Sequence, residues 1–230
     1  MSNIMTITDK DFGLDIVELN NPRIRIGARG LVFNSNNKIA ILNKKNKNEY
    51  KLVGGGVEGD EDPKIAFKRE VLEEAGCKVE IDDFIGTIRE ERTHNNFVQI
   101  SHLYVAHVIE DTKIFNLTEK EITEGAQLLW LNLDEAINII KDCERKIKSS
   151  KYEDIYLKRF VVRRDYNILE FYKNNYLKNN KWLSTNTQTT EVVSYLGTIP
   201  DKETRSEHLA LTLIQPIARV LMFLKGDKNG

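Results

Sequence analysis

Cysteine is nearly absent: Cys77 and Cys143 are the only two in 230 residues, and neither has a neighbour at metal-ligand or redox spacing. That leaves no cysteine metal centre or redox pair, and points to a reducing compartment with both thiols in packing roles. Surplus charge is lacking too. The formal net charge is −1, so no global field draws the chain to nucleic acid or to an acidic membrane surface. The opening "MSNIMTITDKDFG" has no basic region followed by an apolar run, so nothing in it suggests export and the expected location is the cytoplasm. Long apolar runs are also missing. The strongest, 206–226, is interrupted by Gln215, Pro216 and Arg219 and falls short of the roughly 20 apolar residues that span a bilayer. It reads as a packing or self-association helix kinked at Pro216. Histidine offers no ligand set, because His102 and His107 lie five apart on an expected strand and face opposite sides.

What is present is a run of short β-branched and aliphatic segments broken by turn residues. "RIRIGARGLVFN" (23–34) and "KIAILN" (38–43) read as a hairpin around "SNN". A short strand in "NEYKLV" then enters the triple glycine Gly54-Gly55-Gly56 and an acidic loop. Asp62 is a natural N-cap with Pro63 at the first helical position, and the helix runs to about Ala75 before Gly76 stops it. Two longer strands meet near His94–Asn96, another spans 126–131, and "LDEAINIIKDCERKI" (133–147) is an amphipathic helix. This order predicts an α/β or α+β layered domain. The expected division is a domain over 1–148 and a helical continuation packing on it over 149–180. Residues 181–230 read as a linker plus the apolar segment, with no role assigned. The basic stretch Lys141–Arg164 has acids interleaved and reads as a solvated face.

One helix breaks a local rule. On a wheel, Ile65, Phe67, Val71, Leu72 and Ala75 share a broad face expected to pack, while Glu70, Glu73 and Glu74 gather on the other. Those acids crowd the C-terminal turns, where the helix dipole and their mutual repulsion both oppose them. A solvated acidic face is the ordinary reading of such a pattern. Against it stands the triple glycine just upstream, where bare backbone can approach a ligand. A hard divalent cation would turn the repulsion into coordination, and carboxylates, a carbonyl and water are what Mg²⁺ accepts. A calcium loop starting at Asp60 fails, with Lys64 at its fifth position and Ile65 at the glycine position.

Gly55, Glu61 and then Arg69-Glu70-Val71-Leu72-Glu73-Glu74-Ala75-Gly76-Cys77 stand at the spacing G-x5-E-x7-R-E-U-x-E-E-x-G-U, with U aliphatic or bulky. This resembles the Nudix box, and the order of strands and helices resembles the Nudix fold over roughly 20–147: a mixed β-sheet between helices. Many members carry a proline before the glycines where this chain has Val53. The resemblance implies that Glu70, Glu73 and Glu74, with the Gly55 carbonyl, bind Mg²⁺, with Mn²⁺ as a substitute. Arg69 and Glu61 would pair to fasten the loop to the helix. The implied reaction is hydrolysis of a nucleoside diphosphate linked to another group, on a nucleotide-type small molecule. A general base is still wanted; it is a box glutamate or an acid from a later loop, and there Glu121 and Glu124 are preferred. Phe97 and Tyr104 are candidates to stack on a base, with core packing as their ordinary role.

Residues outside the box separate the subfamilies. No proline lies between Pro63 and Pro200, against the ADP-ribose pattern, and Thr93-His94-Asn95 stands where dinucleoside polyphosphate hydrolases tend to carry tyrosine. Elimination leaves the MutT-like group, acting on ordinary or oxidised nucleoside triphosphates. ADP-ribose or nucleotide-sugar hydrolysis stays open. So does a Nudix-fold sensor that acts through its C-terminal segment. Dimers are common in the family, so the resemblance also allows a homodimer.

Overall fold

The computed structural model describes residues 3–147 and 155–177. The chain divides into two units, Met1–Phe171 and Tyr172–Gly230. Of the second, the described part is the π-helical stretch Tyr172–Leu177. The expected linker and the apolar segment 206–226 lie outside the described residues.

The first unit is an α+β layered domain. Its strands are β1 (Asn3–Thr8), β2 (Arg23–Phe33), β3 (Ile39–Lys44), β4 (Glu49–Leu52), β5 (Gly54–Gly56), β6 (Cys77–Arg92), β7 (Phe97–Asp111) and β8 (Ala126–Leu131). The helices are α1 (Pro63–Ala75), the short α2 (Glu119–Thr123), α3 (Leu133–Arg145) and α4 (Ile155–Phe171). The sheet runs β1-β6-β7-β2-β3-β4, with β5 added to β2 and β8 to β3. It is mixed: β1 is parallel to β6 and β2 to β7, while the other pairs are antiparallel.

The expected hairpin is reduced to its tip. The two strands pair only at Phe33 and Ile39. Most of β2 pairs with β7 and β5, while β3 pairs with β4 and β8. Because strand side chains alternate, β2 serves both faces. Ala28 and Val32 pack with Phe67, Val71 and Ala75 of α1 in one core. Arg25, Gly27 and Arg29 are on the opposite face, where Glu90 in β6 meets Arg164 of α4.

Helix α1 starts where the caps require. The Asp62 carboxylate accepts the Lys64 N–H at 2.7 Å, Pro63 follows at the first position, and Gly76 closes the helix in the left-handed conformation. Its buried face differs from the wheel expectation. Ile65 is 61% exposed and Leu72 38%, whereas Ala66 and Glu74 are buried with Phe67, Val71 and Ala75. The packing stripe is rotated toward the sheet because Glu74, one of the acids, has polar partners there.

In its described part the basic stretch Lys141–Arg164 is not solvated throughout. Lys158 and Arg164 are buried, and Arg164 donates to Glu90 in β6 at 3.2 Å and to Asp165 at 2.7 Å. Asp165 in turn accepts the Leu52 N–H at 2.9 Å. The Leu52 bond seats α4 on the strand that leads into the glycine turn, while Arg164–Glu90 and Phe160, edge-on against Phe12, tie the helix to β6 and to the N-terminal segment.

Candidate functional site

Strand β5 lies antiparallel against Gly27–Arg29 of β2, and α1 returns beside it. Their junction is organised by one guanidinium. Arg69 grips Glu61 with two bonds, Nε to Oε1 at 3.1 Å and Nη2 to Oε2 at 3.0 Å. It also donates to the Gly56 carbonyl at 3.0 Å, to Glu70 at 3.0 Å and to Glu73 at 3.2 Å. The paired loop and helix therefore meet through a bidentate, charge-assisted contact. The Glu61 bonds, above all, raise the Arg69 pKa, and those bonds from Arg69 hold the Glu61 carboxyl below its usual range.

Glu74 is held differently. It is 2% exposed, accepts the Gly54 N–H at 2.8 Å and the Lys51 ammonium at 2.8 Å. Burial raises its pKa more than Lys51 and the amide lower it. For Lys51, burial works downward, yet the Glu74 pair prevails and raises its pKa. Glu70 lies directly over Gly55: a Cβ at that position would stand 2.3 Å from the Glu70 carboxyl carbon. Gly55→Ala is therefore expected to push Glu70 aside and cut turnover about tenfold or more, since small displacements near a reacting centre are costly. The melting temperature should change far less than activity, and parallel rate and melting measurements check this.

The two loop acids part company. Glu121 caps α2, accepting the Thr118 N–H and hydroxyl, each at 3.0 Å. Burial pushes its pKa up, but the Thr118 bonds and the Lys51 charge outweigh it, and the carboxyl ends below its usual range. Its field in turn reaches Glu74, so Glu121 adjoins the site. Glu124 does not: it is fully buried and bound to Lys44 at 2.7 Å, with Lys47 at 3.7 Å. As a base it is corrected to a structural ion pair, sequestered from any substrate.

Neither aromatic candidate is free to stack on a base. Tyr104 is 2% exposed within the core and stacks on Phe67 at 5.3 Å. Phe97 has guanidinium groups over its ring, Arg23 at 4.9 Å and Arg92 at 5.2 Å. An open cavity of about 590 Å³ does adjoin the loop, lined by apolar Ile24, Ile26 and Val57 together with the charged Arg25, Asp60 and Glu61.

Sequence reasoning passed over Lys51, the Gly54 amide and the arginines of β2. The available signals were Lys51 three residues before the triple glycine, and the alternation of Arg23, Arg25, Gly27 and Arg29 on one strand face. Among the described residues no three acid, histidine or cysteine side chains stand together as a ready metal cage. The donors nonetheless suit a hard cation. All are oxygens, and the positive charge they collect here comes from Arg69 and Lys51. Ligation would require Glu70 and Glu73 to turn from Arg69.

A family model described as the NUDIX domain matches residues 23–152. Over 120 residues the chain is 28% identical to diphosphoinositol polyphosphate phosphohydrolase 2 of Rattus norvegicus, covering 52% of this chain and 62% of that protein. The Homo sapiens protein of the same name is 27% identical over the same shares. The chain thus spans less than two thirds of the length of these relatives. Among solved structures, a MutT protein from Methanosarcina mazei Go1 is 21% identical with a TM-score of 0.40, over 64% of this chain and 97% of that one. A NUDIX hydrolase from Nitrosomonas europaea is 16% identical with a TM-score of 0.42, over 64% and 89%.

Proposed function

The chain belongs to the Nudix family, and from that premise we propose that it hydrolyses a diphosphate linkage in a small phosphorylated molecule, using Mg²⁺. A nucleoside diphosphate joined to another group is the first substrate class. The observation that carries this reading is the gathering of Glu61, Glu70 and Glu73 on Arg69 beside the glycine turn, with Glu74 behind them. Glu70, Glu73 and Glu74, in the C-terminal turns of α1, oppose their own helix dipole and suit a cation-bound phosphate.

Glu70, Glu73 and Glu74, with the Gly55 carbonyl, would hold the cation, Mn²⁺ substituting for Mg²⁺. Bound there, it would neutralise phosphate oxygens and acidify its own water. The chain's own groups supply positioning. Arg69 and Glu61 keep the loop on the helix, while the Gly54 amide and Lys51 fix Glu74. Glu121, ionised near neutral pH and next to Glu74, is the group we assign to take the proton of the attacking water.

A diphosphate on a polyphosphorylated inositol is the second reading, favoured by the likeness to the rat and human phosphohydrolases. The test is incubation with Mg²⁺ and a panel: nucleoside triphosphates, ADP-ribose, dinucleoside polyphosphates, nucleotide sugars and a diphosphoinositol polyphosphate. Phosphate or monophosphate should be released from at least one, and EDTA should stop it. No product from any of them overturns the proposal.

A further inference from the structure

Glu121, assigned above to the proton of the attacking water, rides on a helix too short to hold itself in place. Helix α2 has five residues, Glu119–Thr123, and none of them is buried. A helix of that length is marginal on its own, and its Thr118 cap belongs to the same segment. What holds it lies just beyond its C-terminal end, where Thr123, Glu124 and Gly125 are each tied to residues 44–46 after β3. The Asn46 side-chain amide donates to the Thr123 carbonyl at 2.8 Å. The Asn46 backbone N–H donates to the Glu124 carbonyl at 3.0 Å, and the Lys45 N–H to that of Gly125 at 3.2 Å. The Glu124 carboxylate, fully buried, accepts the Lys44 ammonium at 2.7 Å.

The contact is close. Gly125 is left-handed, at φ +71°, and a Cβ on it would stand 3.1 Å from Asn46 Nδ2. Strand β3 relates this contact to the α1 acids. Lys44 pairs with Ala126 at one end of the β3–β8 ladder, and Leu42 pairs with Lys51 of β4. Lys51 donates to Glu74 at 2.8 Å, and its charge also bears on Glu121. Glu74 and Glu121 are thus both located from one strand. Stability alone is a poor reason for the buried Lys44–Glu124 pair, since apolar residues of similar volume often serve as well in such a place. Fixing a single register is the best-attested use of buried charge.

We propose that Lys44, Asn46 and Glu124 are positioning residues, a clamp that sets where Glu121 stands beside the α1 acids. Its effect on turnover rests on the role given to Glu121 above; its hold on α2 does not.

The test combines kinetics with hydrogen exchange on the full chain. Asn46→Ala removes an exposed side chain, and Glu124→Gln keeps the shape of its residue without the charge. On the best substrate of the panel each should lower kcat about ten- to hundredfold, as small misplacements of a reacting group do, with KM unchanged. In a Glu121→Gln background, itself slowed about a hundredfold or more, neither substitution should cost anything further. The amides of Ile122, Glu124 and Gly125, bonded within this segment, should exchange about fivefold faster or more in both variants, as one lost hydrogen bond predicts. The Gly76 amide at the end of α1 should keep its wild-type protection. A wild-type kcat in Asn46→Ala, or an equal loss with Glu121 already replaced, overturns the clamp's action through Glu121. Unchanged exchange in Asn46→Ala overturns the clamp itself, whatever the activity. Should Glu124→Gln not fold, Asn46→Ala decides alone. Glu121→Gln as fast as wild type, or no hydrolysis at all, sinks the reading above instead, and faster exchange in Asn46→Ala then leaves the hold on α2 standing.

Discussion

Replacing Arg164 with methionine is expected to lower folding stability by about 3–5 kcal/mol, the usual loss when one partner of a buried ion pair is removed. For a chain of this size that corresponds to roughly 6–20 °C in melting temperature. Arg164 is 2% exposed and bridges Glu90 of β6 to Asp165 of its own helix. Without it, among the described residues, Glu90 keeps Arg92 and Asp165 keeps the Leu52 amide. Both carboxylates are fully buried, so each would pay for its charge in a poorly hydrated place or take up a proton. Methionine fills much of the volume, so an empty cavity is not the cause. Chemical denaturation of the variant measures the effect, and Arg164→Met with Glu90→Gln should recover part of it. A loss within about 0.5 kcal/mol, the range of ordinary surface changes, would refute the cluster's role.

The second large effect separates activity from stability. Glu73→Gln is expected to reduce kcat/KM about 10²–10³-fold, the range seen when one group that stabilises transition-state charge is removed. Its folding stability should hold or rise slightly. Glu73 is a third exposed, in the last turn of α1 beside Glu74, with Glu70 one turn earlier and a side-chain bond to Arg69. Removing its charge relieves repulsion and an unfavourable dipole interaction, each worth a few tenths of a kcal/mol. Steady-state rates on the best substrate of the panel, with melting curves of the same samples, give both readouts. A variant as fast as wild type, or inactive only because it has unfolded, would remove Glu73 from the proposed ligand set.

Much of the scaffold could be read from local signals. Asp62, Pro63 and Gly76 delimit α1 because caps act within a few residues. The long strands β6 and β7 stand out by β-branched content and by the turn at Thr93–Asn95. The box resemblance implied the pairing of Arg69 with Glu61 that the structure shows. What stayed illegible depends on partners distant in sequence. Nothing in Asn3–Thr8 announces a parallel pairing with Thr87–Glu91. Arg164 and Lys158 look like surface charges until Glu90 and the Lys47 carbonyl are placed against them. Glu124 resembles a free loop acid because Lys44, its partner, lies 80 residues earlier. Ile65 looks like core on a wheel and faces solvent, since a wheel does not say which arc meets the sheet.

The bond from the Leu52 amide to Asp165 spans 113 residues, and it has a bearing on the order in which the molecule assembles. Leu52 ends the strand that runs into Gly54–Gly56, so the turn is anchored by a helix near the far end of the described domain. Closing so long a loop is entropically slow, and contacts of this separation form after the local ones. During synthesis the residues of α1 leave the ribosome long before those of α4. The glycine turn gains this anchor only once α4 has been made and docks on Leu52.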